Sequence, residues 1–358
     1  MKKIIFFAFF VLSIFGTYAE VSQTSWKVLE QATRALDEDN PGSALRYAEI
    51  AKELRKIEYQ NRIDTLESAI IPLPVQQVGD LIPDVLYILE SRNSYDAVKL
   101  INELVEQKGS AYFSNSITKM QEYLELFLEY PEADFLIGKV YMYEGEYEVA
   151  KEYYLRALEN SDILDIPDVQ FDIRYELVYL AKIQKDYNLY EESLLSILEQ
   201  SPYYNTEGDR YNYAKAALNA AIQPKLADKY FLLYRIDSKV FIPAYLKIAE
   251  FYKANNENEK SFFASMIAVL ASFTRINEII SMRDYEYVYS NLNDFFQLAT
   301  SYSDINNWLL ENDVWSGIML FADYVKEHNN SLLSKDLYQC IENYCPIVSL
   351  RNIAKLSH

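Results

Sequence analysis

The chain has 358 residues, half of them hydrophobic, and carries 53 acidic against 34 basic side chains for a net charge of −19. That length buries a core without covalent staples, and so large an excess of carboxylates repels nucleic acid and anionic lipid headgroups. Only 8 glycines and 10 prolines punctuate it, too few for a turn at every hairpin of a sheet protein, so long helices joined by short turns are expected.

At the N-terminus Lys2 and Lys3 precede an apolar run from Ile4 to Phe15, followed by Gly16 and Thr17-Tyr18-Ala19. A basic start, a short apolar stretch and small residues at the end are the layout of a secretory signal peptide. A spanning helix needs about 20 apolar residues, so cleavage after Ala19 and a mature chain that does not insert in the membrane are expected. No Cys follows the cleavage point to take a lipid, and no later stretch reads as apolar enough to cross a bilayer. Export with only two cysteines fits a bacterial periplasm.

Beyond the leader, small and aromatic residues recur in one register in three windows, 25–58, 131–164 and 242–275. The clearest is 131–164, with Ile137, Gly138, Tyr141, Ala150, Tyr154 and Ala157, and with Tyr147 in the turn between two helices. Window 25–58 places Ala32, Ala35, Ala44, Ala48 and Ala51 at the corresponding sites. Window 242–275 supplies Ile248, Ala249, Tyr252 and Ala268, while Ser261 and Ser265 replace the usual second-helix residues. Gly or Ala lets a first helix sit against the second, and Tyr fills the groove toward the next pair.

This register resembles the tetratricopeptide repeat family. The resemblance implies an all-α fold, a right-handed α-solenoid of antiparallel helix pairs over 20–275, and a role in binding other proteins. The family's first-helix Trp is replaced by Val28, Asp134 and Tyr245, and its late Pro by Lys56, Asp162 and Phe273. Two degenerate repeats fit in each gap. Surplus residues have homes at Pro72-Leu73-Pro74 through Pro83 and at Ser201-Pro202 through Gly208, while Ser94-Tyr95-Asp96-Ala97 and Lys185-Asp186-Tyr187 read as inter-helix turns. From 276 to 358 the pattern stays helical, with Trp308, Leu309, Trp315, Ile318, Met319 and Phe321 on apolar faces, and reads as further pairs and a cap.

Catalysis finds little support. The histidines are His328 and His358, and neither Cys340 nor Cys345 sits in a Gly-rich or oxyanion-type motif, so no enzymatic role and no cofactor are expected. Cys-x4-Cys with one distant His leaves zinc a ligand short, and no metal is expected. Within one continuous helix those cysteines would stand about 8 to 9 Å apart at Cα, beyond disulfide reach, but Pro346 biases Cys345 out of the helix. A local disulfide and two buried free thiols both stay open. The 32 tyrosines admit an aromatic platform for peptides or sugars, yet Tyr141, Tyr154 and Tyr252 fall at packing positions, and most of the others read as packing or amphipathic surface.

In the resembling family ligands lie in the concave groove lined by first helices. The matching positions are Glu132, Phe135, Lys139, Met142 and Tyr143 in one window and Trp26, Leu29, Thr33, Leu36 and Asp37 in another. Leu29, Phe135 and Leu246 stand where a terminal-carboxylate clamp would need Lys, so an apolar segment such as an amphipathic helix suits the lining better. The expected function is a periplasmic scaffold holding a neutral or basic protein or peptide in envelope assembly or transport. The alternative is a small-ligand binding or delivery protein working with a solute transporter.

Overall fold

A computed structural model describes residues 24–70, 127–204, 216, 236–327 and 331–357, with side chains described in all but 62–70 and 331. Residues 1–19, 72–83 and 94–97, together with Gly208, His328 and His358, lie outside the described residues. Among the described residues every regular element is helical, thirteen α-helices and one 3-10 turn. The chain divides into two compact units, Met1–Ile173 and Arg174–His358.

The first unit holds α1 (Ser25–Asp37), α2 (Pro41–Ile70), α3 (Pro131–Glu144), α4 (Tyr147–Glu159) and the 3-10 turn Ser161–Ile163. The division falls within α5 (Val169–Gln184), which is followed by α6 (Tyr187–Leu198), α7 (Phe241–Ala254), α8 (Asn258–Arg283), α9 (Leu292–Ser301), α10 (Ser303–Glu311), α11 (Val314–Glu327), α12 (Ser331–Tyr344) and α13 (Val348–Ser357).

One turn is used four times. Asp39, Gly145, Lys185 and Asn256 each adopt a left-handed conformation, with φ of 58°, 82°, 58° and 63°. In each case the next N–H reaches back to the carbonyl five residues earlier: Asn40 to Ala35 at 2.8 Å, Glu146 to Tyr141 at 2.9 Å, Asp186 to Ala181 at 2.9 Å and Glu257 to Tyr252 at 2.8 Å. That bond satisfies a carbonyl the helix end would leave bare and reverses the chain within two residues. The expected turn at Lys185-Asp186-Tyr187 is therefore present, Asp186 also accepting from Leu189 N at 3.1 Å. Tyr147, expected in a turn, is instead the first residue of α4. The four turns share one register, which adds a window at 171–204 and places six of the nine surplus residues of this gap at 165–170 around Pro167; the remaining three fall after 204, where residues 205–208 lie outside the described residues.

In the first unit the core is three layers. Val28, Ala51, Tyr130 and Ala133 form one, Ala32, Ala48, Leu136 and Ile137 the next, and Ala35, Ala44 and Val140 the third. Numbers rise along α1 and α3 and fall along α2, as they must for α2 antiparallel to both. Alanine at each α1–α2 contact lets the backbones approach, and Gly138 does the same for α3 beneath Tyr154. Val28, Asp134 and Tyr245, the three replacements for the family Trp, are all buried. Asp134 is charged there and is held by Lys52 Nζ at 2.6 Å and Arg156 Nη1 at 3.8 Å.

In the second unit α8 packs against α7 and α11, and α11 against α12. Ser261 and Ser265, which replace the usual second-helix residues, are both buried, Ser261 at the position of Ala44 and Ala150 and Ser265 at that of Ala48 and Tyr154. Ser261 Oγ donates to the Ala249 carbonyl at 2.8 Å and Ser265 Oγ to that of Phe262 at 2.9 Å, so both keep a small volume without an unpaired hydroxyl. The boundary expected at 275 falls inside α8, because Ile276 and Ile280 remain buried and the helix continues over them. α8 is also long and apolar enough to cross a membrane, unlike the expectation for the post-leader chain, but 72% of that stretch is buried inside the fold. Phe273, Phe296 and Trp315 pack on one another at centroid distances of 5.3 and 5.2 Å, and Cys340 and Cys345 are buried free thiols.

Candidate functional site

The residues expected to line a groove in the first unit separate into three groups. Trp26, Thr33, Asp37 and Tyr143 face solvent, with Trp26 54% and Tyr143 57% exposed. Lys27 Nζ lies 5.3 Å from the Trp26 ring, and the Tyr143 hydroxyl lies 3.4 Å from Asp39 Oδ1. Phe135, Lys139 and Met142 form a half-buried ledge, in which Phe135 leans on Tyr154 at 5.8 Å and Lys139 Nζ sits 5.6 Å from the Phe135 ring.

Leu29, Leu36 and Glu132 serve the fold instead. Leu29 bridges two core layers and Leu36 packs beside the Ala32 and Ala35 layers, because successive positions on a helix turn by about 100° and one face ends where the next begins. Glu132 Oε1 accepts from Asp165 N at 2.5 Å while Oε2 is buried without a hydrogen-bond partner. Burial raises the Glu132 carboxyl above its usual range, Asp165 adding to the effect and Arg55 opposing it. Arg55 itself is buried, 3.2 Å from Asp165 Oδ1 and 4.5 Å from the Tyr130 ring. In window 242–275 the groove position Leu246 is covered: a β-carbon on Gly317 of α11 would lie 2.2 Å from Leu246 Cδ2.

The cavities of the second unit leave no signal in the sequence. One of about 940 Å³ opens between α6, α7, α8 and α11, lined by Leu195, Leu198, Tyr245, Ile248, Phe262 and Phe263 among others. Tyr204, Tyr252 and Tyr324 add three further rings, and Glu191, Glu199, Glu259 and Lys260 supply its charges. The Tyr252 hydroxyl donates to Glu191 Oε1 at 3.1 Å and that of Tyr245 to Ser201 Oγ at 2.9 Å. Burial pushes both phenols up, the Glu191 contact reinforcing it at Tyr252. A second cavity of about 480 Å³ is lined by Tyr175, Lys182, Tyr190, Lys247, Glu250 and Asp313.

No family model matches the chain. It is similar to an uncharacterized protein of Treponema pallidum (strain Nichols), 26% identical over 321 residues that cover 90% of this chain and 86% of that protein. The likeness therefore spans most of both chains and attaches no activity to either site. Among the described residues no three His, Cys, Asp or Glu side chains converge as metal ligands would. What the two regions offer is recognition chemistry: exposed rings on an ordered helical face in one unit, an aromatic cavity with carboxylates in the other.

Proposed function

We propose that this is an exported tetratricopeptide-like repeat protein, a right-handed α-solenoid acting in a bacterial periplasm as a scaffold for a protein or peptide partner. The observation that carries the reading is the two-sidedness of α1 and α3. One side of each helix is locked into alanine-rich layers, while the other presents Trp26 on α1 and Tyr143 on α3, each more than half exposed, with Phe135, Lys139 and Met142 also on α3. Large aromatic side chains on a rigid face act as anchors for an apolar segment. The repeated turn supports the repeat reading, and the acidic chain favours a neutral or basic partner. The test is affinity capture from the organism's own envelope with the mature chain and with a Trp26→Ala/Tyr143→Ala variant of unchanged helical melting. One stoichiometric protein held by the parent and lost with the variant is expected; equal capture by both moves the interface off this face.

The cavity of about 940 Å³ in the second unit favours a second reading. Its size and apolar walls suit a small-ligand binding or delivery protein working with a solute transporter.

A further inference from the structure

We propose that the large cavity of the second unit is a binding site for an amphiphilic organic cation, an ammonium group carried on an alkyl or aromatic body. This rests on the small-ligand reading above and adds the ligand's charge and shape. The walls are six rings, Tyr204, Tyr245, Tyr252, Phe262, Phe263 and Tyr324. They form a wall rather than scattered residues, since Phe262 stacks on Tyr324 at 3.8 Å and on Phe321 at 5.5 Å. An apolar body of ten or so carbons fills only part of a volume of about 940 Å³.

The charges select the sign. Glu191, Glu199 and Glu259 line the cavity, Glu257 pairs with Lys260 at its edge, and Glu327 lies near Tyr324. Among the described residues, Lys260, which is exposed and engaged by Glu257, and Arg174, which lies near Glu199, stand against these carboxylates. A fatty acid or anionic headgroup entering here meets net repulsion, whereas an ammonium gains both carboxylate attraction and ring faces. The protein already uses one of those faces in this way, since Lys260 Nζ sits 4.9 Å from the Tyr252 ring. The same carboxylates crowd the Tyr204 phenol: burial is the largest cause of its raised pKa, followed by Glu199 and Glu191.

The test is calorimetry of the mature full-length chain with three probes below their micelle concentrations: decyltrimethylammonium, decanoate and neutral octyl glucoside. Decyltrimethylammonium should bind saturably at one site, about tenfold or more tighter than decanoate, and the preference should shrink in high salt. Glu191→Gln should weaken the cation about fivefold and leave octyl glucoside unchanged, because it removes charge but little volume. Ala264→Leu, which narrows the cavity, should weaken every probe that binds there, with helical melting checked for both variants. Decanoate binding as tightly as the cation, with sensitivity to Ala264→Leu, would overturn the cationic ligand and leave the cavity reading standing. Absence of saturable binding by all three probes would overturn both.

Discussion

The ring of Tyr154 lies so close over Gly138 that a β-carbon there would meet its Cδ1 and Cε1 at 2.6 Å. Tyr154 is fully buried and cannot swing aside, and the Ala150 carbonyl closes the other side at 3.3 Å. Gly138→Ala gains about 1 kcal/mol of helix propensity but overpacks a closed contact at a cost of about 1 to 3 kcal/mol or more. The overpacking wins. Thermal unfolding followed by circular dichroism should show the variant melting several degrees lower; a variant melting at or above the parent would mean that α3 and α4 are not in this contact.

Truncations separate core from face. Tyr154→Ala empties an enclosed site and should cost about 3 to 5 kcal/mol in urea unfolding. Trp26→Ala and Tyr143→Ala remove exposed rings and should stay within about 0.5 kcal/mol of the parent. Tyr141, expected to be the core ring of this pair, is half-buried and stacked on Tyr153 at 5.6 Å, so its truncation should fall between the two. Equal losses at Tyr143 and Tyr154 would contradict the two-sided α3.

These contrasts mark what the sequence makes legible. Ala32, Ala35, Ala44, Ala48 and Ala51 announce a helix pair because only small side chains let two backbones approach at that spacing, and all five are buried. Leu29 and Leu36 carry no such signal, since a Leu between the packed and open faces of a helix reads the same either way. Lys185-Asp186-Tyr187 reads as a turn, but nothing in Lys185 itself announces the left-handed conformation that most residues avoid and that it shares with Asp39, Gly145 and Asn256. The cavity was illegible because Glu191, Tyr252 and Tyr324 come from helices far apart in sequence, and each alone looks like packing.

Asp134 is a buried charged residue held by its ion-pair partners. Its side chain is 5% exposed, with Lys52 Nζ at 2.6 Å. Asp134→Ala leaves the Lys52 ammonium partly buried and unpaired, and should cost about 3 kcal/mol, the lower end for a broken buried pair because Lys52 still reaches solvent. Replacing Lys52 and Asp134 together by Met and Leu should recover much of that loss in denaturant titration. Failure of the double variant to exceed the single would show that the cost lies in packing rather than in the stranded charge.

Glu132 should make stability fall as pH rises. Its carboxyl is raised in the folded chain, chiefly by burial, with Asp165 adding to the effect, while the Asp165 N–H and Arg55 oppose it. The native state thus holds the proton more tightly than the unfolded chain does, so the contribution is complete below the ordinary carboxylate range and is lost as pH climbs through the raised value. Glu132→Gln keeps an acceptor for Asp165 N without the charge. It should be more stable than the parent near neutrality, with the difference shrinking as the pH falls into the ordinary carboxylate range. Urea unfolding at neutral pH and in acid measures it, and a variant less stable at neutral pH than in acid, relative to the parent, would reverse the sign.

The two cysteines should be thiols that only unfolding exposes. Cys340 is pushed up to about 12 by burial, with Asp336 adding to it, and Cys345 is raised by burial, a backbone hydrogen bond at Ile347 and the Arg351 charge opposing it and Asp313 adding to it. Alkylation requires the thiolate, so at pH 8 Cys340 in the folded chain should react with iodoacetamide about a thousandfold more slowly than a free thiol, and Cys345 should also react more slowly than a free thiol. In guanidinium chloride without reductant, mass spectrometry should find two adducts, because α12 carries Cys340 in its last turns and Cys345 just beyond its end, both under the packing that encloses Ile341. No adduct under those conditions, and two after reduction, would mean that the chain closes a disulfide there. Rapid labelling of the folded protein would mean instead that α12 opens at its C-terminal end far more readily than its burial implies.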